Sequence, residues 1–357
     1  MIKKTDRLPV REPMSDEKLL MTITIVIFTV LYVFAMLIWG GGFLRVQKLF
    51  DLLNDNAYLI ILACGMTIVM IGGGIDISVG GVAALTVMCC IVNTNNGGSV
   101  LSAALLAVGI GAAFGVCQGF LVSVLRIQPF VVTLAGMFLA RGLITVVSST
   151  PQKIVNAGLQ TLMNERISIN CLGYTAKNGN LIPARIEYGV IIALIVTAAV
   201  LFMLSKTRFG RGVYAVGGNR ESAMLLGINT RGTCFAIYVI SGIIAGVAGF
   251  VFMMHTGSGN ATNATGSELS AIAAAIIGGT LLSGGVGNVI GTFFGVMTLA
   301  VLKSIIVTSG LKEPWWQSIT TGAMLCLFII LQSAVLAARG RKIANSASGL
   351  DSRPALS

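Results

Sequence analysis

The sequence predicts an all-α, polytopic membrane protein of about ten transmembrane helices, and three observations support this fold class. Of 357 residues, 55% are hydrophobic and only 10% are charged, whereas soluble domains average about 25% charged residues. Charge-free apolar runs reach the length of about 20 residues that a spanning helix needs. Glycine is abundant, with 44 residues, and it lets membrane helices approach one another closely. These features exclude a soluble protein.

Ten apolar segments follow one another along the chain, and the eighth is short. They are residues 19–44, 56–75, two spans within 77–125, 127–147, 188–205, 232–254, 269–281, 288–308 and 315–338. The first run follows a polar tail and is as long as a span, so we expect a retained helix rather than a cleaved signal peptide. The transmembrane domain is predicted over residues 19–338, between tails at 1–18 and 339–357.

Lysine and arginine outnumber aspartate and glutamate by 24 to 13, and most lie in alternate loops. Cytoplasmic loops carry the excess of basic residues, which places both termini in the cytoplasm together with a segment at 206–231. Residues 148–187 then form a long outer loop. No concentrated basic stripe of the kind that binds nucleic acid is present. We therefore expect membrane lipid, and no nucleic acid, as a partner.

Two segments resemble each other at an offset of 180 residues: residues 110–116 read IGAAFGV and residues 290–296 read IGTFFGV. An odd number of predicted crossings separates them, so they run in opposite directions, as the inverted repeats of transporters do. Chance similarity among glycine-rich helices is the alternative. Glycines recur every four residues in both regions, and we expect these faces to be packing contacts rather than pore lining.

The stretch GGGIDISVGG at residues 72–81 interrupts the apolar pattern between the second and third spans. Irregular backbone at membrane depth must be buried in protein or line a cavity, and an ionisable group there indicates function. Asp76 is placed to accept hydrogen bonds from backbone N–H groups that open the third span, next to Ser78. We favour this capping role over direct contact with a substrate.

A related stretch, IGGTLLSGGVG at residues 277–287, follows the eighth span and predicts a sharp re-entrant turn. Arg141 lies inside the fifth span and must face protein, a carboxylate or carbonyls, because a charge in lipid is costly. Asp76 is a candidate partner for it. The candidate positions for the translocation path or the structural breaks are Gly74, Asp76, Ser78, Gly80, Arg141, Gly279 and Ser283.

The remaining polar residues give weaker signals. The outer loop carries Asn164, Glu165, Arg166, Asn170, Lys177 and Asn178, and a docking surface for an outer partner and an ordinary solvated loop are equally open readings. The cysteines show no spacing typical of a metal site or a disulfide framework. His255, the only histidine, is expected to be a polar residue at a helix end. We expect no catalytic residue, no metal site and no cofactor.

Residues 206–231 contain the signals of a short helix of about two turns. Asn219 can cap it, Glu221 favours its first turn, and Gly227 can end it. Four residues would then be available to insert into a groove of a soluble partner: Ala223, Met224, Leu225 and Leu226. Helix-in-groove docking needs such residues, whereas a passive loop does not.

At these positions the chain resembles the permease subunits of bacterial ATP-binding cassette (ABC) importers for monosaccharides, the ribose, xylose, arabinose and galactofuranose group. The resemblance covers nearly the whole chain. It rests on GGIDISVG at 73–80, PFVVTLAG at 129–136 with ARGL at 140–143, YAVGGN at 214–219 with ESAMLLGI at 221–228, and AIAAAIIGGTLLSGG at 271–285. The stretch around Glu221 is similar to the family's Glu-Ala-Ala loop, with Ser222 in place of the middle alanine.

The resemblance implies that this loop is the coupling helix that seats in the ATPase subunit. The coupling residues would be Gly218, Asn219, Arg220, Glu221, Ser222, Ala223, Leu226 and Gly227. It also implies that two permeases pair in the bacterial plasma (inner) membrane, and that a periplasmic-type binding protein delivers the sugar. No G-x-x-x-x-G-K-[ST] phosphate loop occurs in the chain, so ATP hydrolysis is assigned to the partner.

Within that group, the nearest resemblance is to one permease of the galactofuranose system. It is carried by LNDNA at 53–57, TRFG at 207–210 and residues 278–287. Because that system has two different permeases, we expect a heterodimer, with a homodimer as the alternative.

Two other classes of protein are alternatives to an ABC permease. An ion-coupled secondary transporter would explain the inverted repeat, but it needs membrane-buried acids, and Asp76 is the only clear one in the sequence. An intramembrane enzyme needs a nucleophile with a base or a metal set at membrane depth, which one histidine and scattered cysteines do not supply.

Overall fold

The computed structural model describes residues 16–175, 181–311 and 313–351, and within these ranges the protein is mainly helical. The helices are α1 Asp16–Trp39, α2 Val46–Ile71, α3 Ser78–Asn95, α4 Val100–Ser123, α5 Pro129–Val147, α6 Ala157–Asn164, α7 Tyr188–Lys206, α8 Arg208–Gly218, α9 Arg220–Leu225, α10 Thr230–Thr256, α11 Ser267–Ile277, α12 Val289–Thr308 and α13 Pro314–Asp351. The strands are β1 Gln152–Lys153, β2 Ile167–Thr175, β3 Leu181–Ile186 and β4 Ser258–Gly259. Of the two predicted tails, residues 1–15 and 352–357 lie outside the described residues.

Nine helices in the described ranges are long and apolar enough to cross a membrane, and α11 accounts for the short eighth span. With 11 residues, α11 is about 16 Å long, half of the 30 Å hydrocarbon core. The other half of this crossing is the irregular segment at residues 260–266. Another difference concerns α2, which begins at Val46, whereas the predicted span begins at residue 56. The prediction was late because it used charge-free runs, and Lys48, Asp51 and Asp55 lie on the first turns of the helix.

The two ends of the bundle are identified by the segments that they carry. At the loop end, which carries residues 148–187, the Asn95 side chain at the end of α3 accepts a 2.9 Å hydrogen bond from the Val155 N–H. At the segment end, which carries residues 206–231, the Tyr214 hydroxyl donates a 2.8 Å hydrogen bond to the Gly287 carbonyl just before α12. Because α4 starts at the loop end and α12 at the segment end, the two similar helices run in opposite directions, as the sequence predicts.

Both described chain ends lie at the segment end. Near the start of α1, the Thr24 hydroxyl donates a 2.5 Å hydrogen bond to the Ile277 carbonyl. In α13, the Gln332 side chain donates a 2.6 Å hydrogen bond to the neighbouring Ile276 carbonyl. The start of α1 and the later part of α13 are therefore on the same side as residues 206–231.

Helices α2 and α3 form the centre of the bundle, and α1 and α13 its periphery. In α2 and α3, 78% of the spanning window is buried, against 11% in α1 and in the spanning part of α13. The regular glycines are packing contacts, as predicted. In α4, Gly111 and Gly115 lie against carbonyls of Gly242 and Tyr238 in α10, and in α12, Gly295 lies against the Ala274 carbonyl of α11. Small residues permit this close packing in lipid.

The outer loop is a folded cap rather than an extended connection. Strand β1 pairs with β4, which follows α10, and β2 pairs with β3 in an antiparallel hairpin. Helix α6 is capped by Asn156, whose side chain accepts a hydrogen bond from the Leu159 N–H. Of the polar loop residues singled out from the sequence, Lys177 and Asn178 lie outside the described residues.

Candidate functional site

The first break separates α2 from α3 and places Asp76 in the interior of the bundle. One Asp76 carboxylate oxygen accepts from the Ser78 N–H at 3.0 Å and from the Ser78 hydroxyl at 2.6 Å. The other oxygen accepts from the Ser241 hydroxyl of α10 at 2.9 Å. Asp76 is 1% exposed. The geometry is that of a buried cap, which joins the start of α3 to the middle of α10.

A second buried acid lies near this break, and the sequence analysis missed it. Glu268, in the first turn of α11, is 8% exposed, and one of its carboxylate oxygens has no hydrogen-bond partner among the described residues. Gly80 of α3 leaves room for that oxygen, because a Cβ there would overlap it. Gly74 similarly makes room for the Tyr238 hydroxyl. Glu268 stands just before the charge-free run at 269, so a search for such runs excluded it.

Arg141 does not contact Asp76, in contrast to the pairing considered from the sequence. Its guanidinium donates to the carbonyls of Ala261 and Asn263, at 3.1 and 2.6 Å. The reason is distance along α5: Arg141 lies about 18 Å from the first residue of that helix, whereas Thr133, near that start, donates to the Ile75 carbonyl beside Asp76. Arg141 thus holds the irregular segment at residues 260–266. Of the partners predicted for this residue, backbone carbonyls are the ones observed.

The second break, after α11, is a sharp turn, as its sequence predicts. Gly279 has a φ of +91°, which favours glycine. The turn is closed by the Leu281 N–H, which donates to the Val286 carbonyl at 3.0 Å. Ser283 is exposed at its tip.

The two breaks meet each other and the segment at residues 206–231 through glycine backbone. We call Gly73, Gly217, Gly218, Gly284 and Gly285 the glycine junction. The Gly285 N–H donates to the Ile71 carbonyl at the end of α2, at 2.8 Å. A Cβ on Gly217 would overlap that carbonyl, and a Cβ on Gly284 would lie 2.7 Å from the Gly217 carbonyl oxygen. The contact between the two breaks and the segment at residues 206–231, which are far apart in the chain, was not predicted from the sequence.

Residues 206–231 form two helices where the sequence predicted one. The first of them, α8, was not predicted from the sequence. Thr207 caps it by accepting a hydrogen bond from the Gly210 N–H at 3.1 Å. Asn219 caps α9 by accepting from the Ser222 N–H at 2.8 Å. Helix α9 has six residues, fewer than the two turns predicted, and the chain turns at Gly227, whose φ is +78°.

The apolar residues of α9 divide into a buried one and an exposed group. Ala223 is only 2% exposed, so it holds α9 to the bundle and is not available for insertion as predicted. Met224, Leu225 and Leu226 are 62%, 86% and 79% exposed. Arg220, Glu221 and Ser222 are exposed beside them. Three large apolar side chains are thus left uncovered by the rest of the chain, which is typical of an interaction surface.

A charged cluster at the loop end involves the single histidine. His255, at the end of α10, lies with a ring nitrogen 2.8 Å from a Glu187 carboxylate oxygen. The Arg166 guanidinium lies 3.0 Å from the other Glu187 oxygen. The hydrogen bond from His255, with the charges of His255 and Arg166, lowers the pKa of Glu187. The cluster joins the cap to the bundle, a role that the expectation of a plain polar residue at a helix end did not include. Among the described residues, no group of three His, Cys, Asp or Glu is arranged to hold a metal ion.

Comparisons with known proteins agree with this architecture. The family model described as "Branched-chain amino acid transport system / permease component" matches residues 48–329. The inner membrane ABC transporter permease protein YjfF of Escherichia coli is 41% identical over 320 residues, which are 89% of this chain and 93% of that protein. The fructose import permease protein FruG of Bifidobacterium longum is 34% identical, over 92% of this chain and 94% of its own.

The ribose import permease protein RbsC of Escherichia coli is 34% identical over 82% of this chain and 87% of its own. No solved structure matches the chain. The family is that of a transport component, not an enzyme, and it agrees with a polytopic helical membrane protein. The chain belongs to the family described as branched-chain amino acid transport system / permease component.

Proposed function

We propose that the chain is the transmembrane permease subunit of an ATP-driven sugar importer, and that it forms the path for a monosaccharide delivered by a binding protein. The observation that carries the proposal is α9, a capped helix that exposes Met224, Leu225 and Leu226 and adjoins both breaks through the glycine junction. An ATPase subunit that moves α9 would thereby move the ends of α2 and α11. Relatives whose names specify fructose and ribose import support a sugar as the cargo.

The path is proposed to run along the face formed by α5 and residues 260–266. The exposed residues of this irregular segment are Ala261, Thr262 and Thr265. The segment itself lies beside α3, at a level along that helix between Ile91 and Gly80. Polar, irregular backbone at that depth must line a cavity or be covered by protein. Hydroxyl and carbonyl groups suit the hydroxyl groups of a sugar. A second permease would complete the other wall.

The finer features of the assembly follow from the same proposal. The segment end is assigned to the cytoplasm of a bacterial inner membrane, so that both termini are cytoplasmic and the cap faces the binding protein. The pairing is proposed to be heterodimeric, with galactofuranose as the leading candidate sugar and a homodimer as the alternative. The coupling residues are proposed to be those predicted from the sequence, at 218–222, 226 and 227, with Met224 and Leu225 added because they are exposed; the part of Ala223 is to anchor α9.

An ion-coupled transporter is less well supported. The contacts of Asp76 are accounted for by a structural role, because its two carboxylate oxygens accept hydrogen bonds from Ser78 and Ser241. The relatives with the highest similarity given above are named as permeases of ABC or import systems.

Glu221→Lys tests the coupling role. The substitution reverses the charge in the first turn of α9, so we expect a protein that inserts normally and retains ATP hydrolysis by its partner, but takes up sugar at least tenfold more slowly. Uptake is measured with ribose, fructose, xylose, galactose and galactofuranose, and the best wild-type substrate is used for comparison. Glu221→Asp, which keeps the negative charge at the same exposed position, is the matched control and should retain uptake. Unimpaired uptake by Glu221→Lys contradicts the proposal.

A further inference from the structure

A cavity of about 340 Å³ opens at the segment end, between the first break and the start of α9. Its polar lining comprises Arg126, Gln128, Asn219, Arg220, Tyr238 and Ser283. The rest of the wall is glycine backbone, the Cys234 side chain, and apolar side chains from α2, α4, α8, α10 and the start of α5. The volume is at the small end of the range of ligand pockets, about 300–1,000 Å³, and is suited to a molecule the size of a monosaccharide derivative.

The charge of this cavity is one-sided. Arg126 and Arg220 contribute two guanidinium groups, and no carboxylate is part of the lining. Within the described ranges, neither arginine has a carboxylate within ion-pairing distance. The same two arginines also border a neighbouring cavity of about 580 Å³, whose lining includes Arg231 and Glu221. Arginine binds phosphate through paired N–H donors.

A buried polar group in the wall lacks a partner as well. The Tyr238 side chain is 2% exposed and lines the cavity, and its hydroxyl has no hydrogen-bond partner among the described residues. Buried hydroxyl groups are normally satisfied, so an orphan one at the wall of a cavity indicates a missing ligand or water. Gln128 and Asn219 add neutral donors that suit hydroxyl groups.

We propose that this cavity binds a phosphate-bearing ligand, with the phosphate between Arg126 and Arg220 and an uncharged hydroxylated part toward Tyr238. A phosphorylated monosaccharide and the headgroup of an anionic lipid share this chemistry. Arg126 follows α4, whereas Arg220 is the first residue of α9. A ligand that bridges them fixes α9 to the bundle and slows the motion on which coupling depends. This last consequence rests on the proposed function, whereas binding itself does not.

The test uses the full chain with its co-purifying subunits in phosphatidylcholine nanodiscs. Glucose 6-phosphate is the soluble probe, and glucose is the neutral comparison, with binding followed by microscale thermophoresis. Saturable binding of glucose 6-phosphate, but not of glucose, is expected. Arg126→Gln is expected to weaken it at least tenfold. Arg208→Gln removes an exposed charge from the same end but outside both cavities, and is expected to leave binding unchanged.

The lipid source is tested in parallel by native mass spectrometry of the chain from mild detergent. Retained phosphatidylglycerol that is lost in Arg126→Gln, but not in Arg208→Gln, assigns the site to a lipid headgroup. The melting temperature of each variant verifies folding. Absence of both signals, or equal signals in wild type and Arg126→Gln, overturns the proposal. Binding without any effect on ATP hydrolysis retains the site and contradicts only its link to coupling.

Discussion

The two ends of the bundle are held together in different ways. At the segment end, the glycine junction brings the backbone of residues 73, 217 and 284 into contact, with no side chain between them. At the loop end, the cap is joined to the bundle by the β1–β4 strand pair and by charged side chains, Glu187 with His255 and Arg166. Close backbone contacts resist displacement of one segment without the others, whereas ion pairs can break and re-form individually. On the proposed function, the segment end would therefore transmit displacement and the loop end would hold the cap in place.

The energetics of the two ends differ in the same direction. Forcing extra atoms into a packed site costs about 1–3 kcal/mol and occasionally more. A partly exposed ion pair contributes about 0.2–1 kcal/mol. Substitutions at the glycine junction are therefore expected to have larger effects than substitutions in the charged cluster, and the predictions below are arranged accordingly.

Gly217→Ala is expected to have the largest effect. The new Cβ would overlap the Ile71 carbonyl, and both groups are backbone, so the junction must open. Folded yield or ATP-driven uptake should fall at least tenfold, measured by size-exclusion chromatography and sugar uptake.

Gly212→Ala is the matched control for this prediction. It changes another glycine of α8 in the same way, but a Cβ there would lie no closer than 3.4 Å to any neighbouring atom, and alanine is favoured over glycine in helices by up to about 1 kcal/mol. Wild-type behaviour of both variants would show that the close backbone contact is not required.

Asp76→Ala tests the interior link next to the glycine junction. The substitution leaves the Ser78 N–H and the Ser241 hydroxyl without their acceptor, which we expect to destabilise the protein by about 2–4 kcal/mol. Folded yield should fall more than the affinity of the assembled transporter for substrate. Asp76→Asn keeps one acceptor oxygen and should recover part of the yield. Normal yield with lost transport would instead indicate a role in the path.

Glu187→Gln should have the smallest effect, at the loop end. Because the folded protein lowers the pKa of Glu187, its ionised form stabilises the fold. That contribution is complete above the ordinary glutamate pKa of about 4.3 and is lost as pH falls through the lower folded value. Since Arg166 is partly exposed, the contribution is about 0.2–1 kcal/mol.

The measurement is the melting temperature of wild type and Glu187→Gln between pH 7 and pH 3.5. The two curves should be separated above about pH 5 and converge toward the acid end. His255 and Asp55 also face this site; because Glu187 is the hydrogen-bond partner of His255, the difference between the two curves reports the Glu187–His255 pair. Glu165→Gln serves as a control within the cap, and a separation that persists unchanged at pH 3.5 would refute the assignment.

Much of the fold follows from local signals in the sequence. Charge-free runs predict the spans, because lipid excludes charge, and the caps at Asn219 and Asp76 depend only on neighbouring residues. The same criterion misplaced the start of α2, whose first turns carry charges at the loop end, and it excluded Glu268 by one residue.

The contacts between distant segments could not be predicted in this way. No local pattern relates Gly217 to Ile71 or Arg141 to the carbonyl of Asn263, because such pairs depend on how the helices are arranged. The glycine runs did indicate unusual backbone, but not their partners. The Glu187 cluster was missed because Arg166, Glu187 and His255 are far apart in the chain.

The most direct test of the account is purification of the tagged chain from its native membrane in mild detergent, with mass spectrometry of the co-purifying proteins and an ATPase assay. We predict recovery of an ATPase subunit together with a second permease, and ATP hydrolysis in the eluate. Recovery of that ATPase should be lost when Met224, Leu225 and Leu226 are replaced by serine. A lone oligomer without ATPase, reproducible across detergents, would contradict the account and favour uptake driven by an ion gradient.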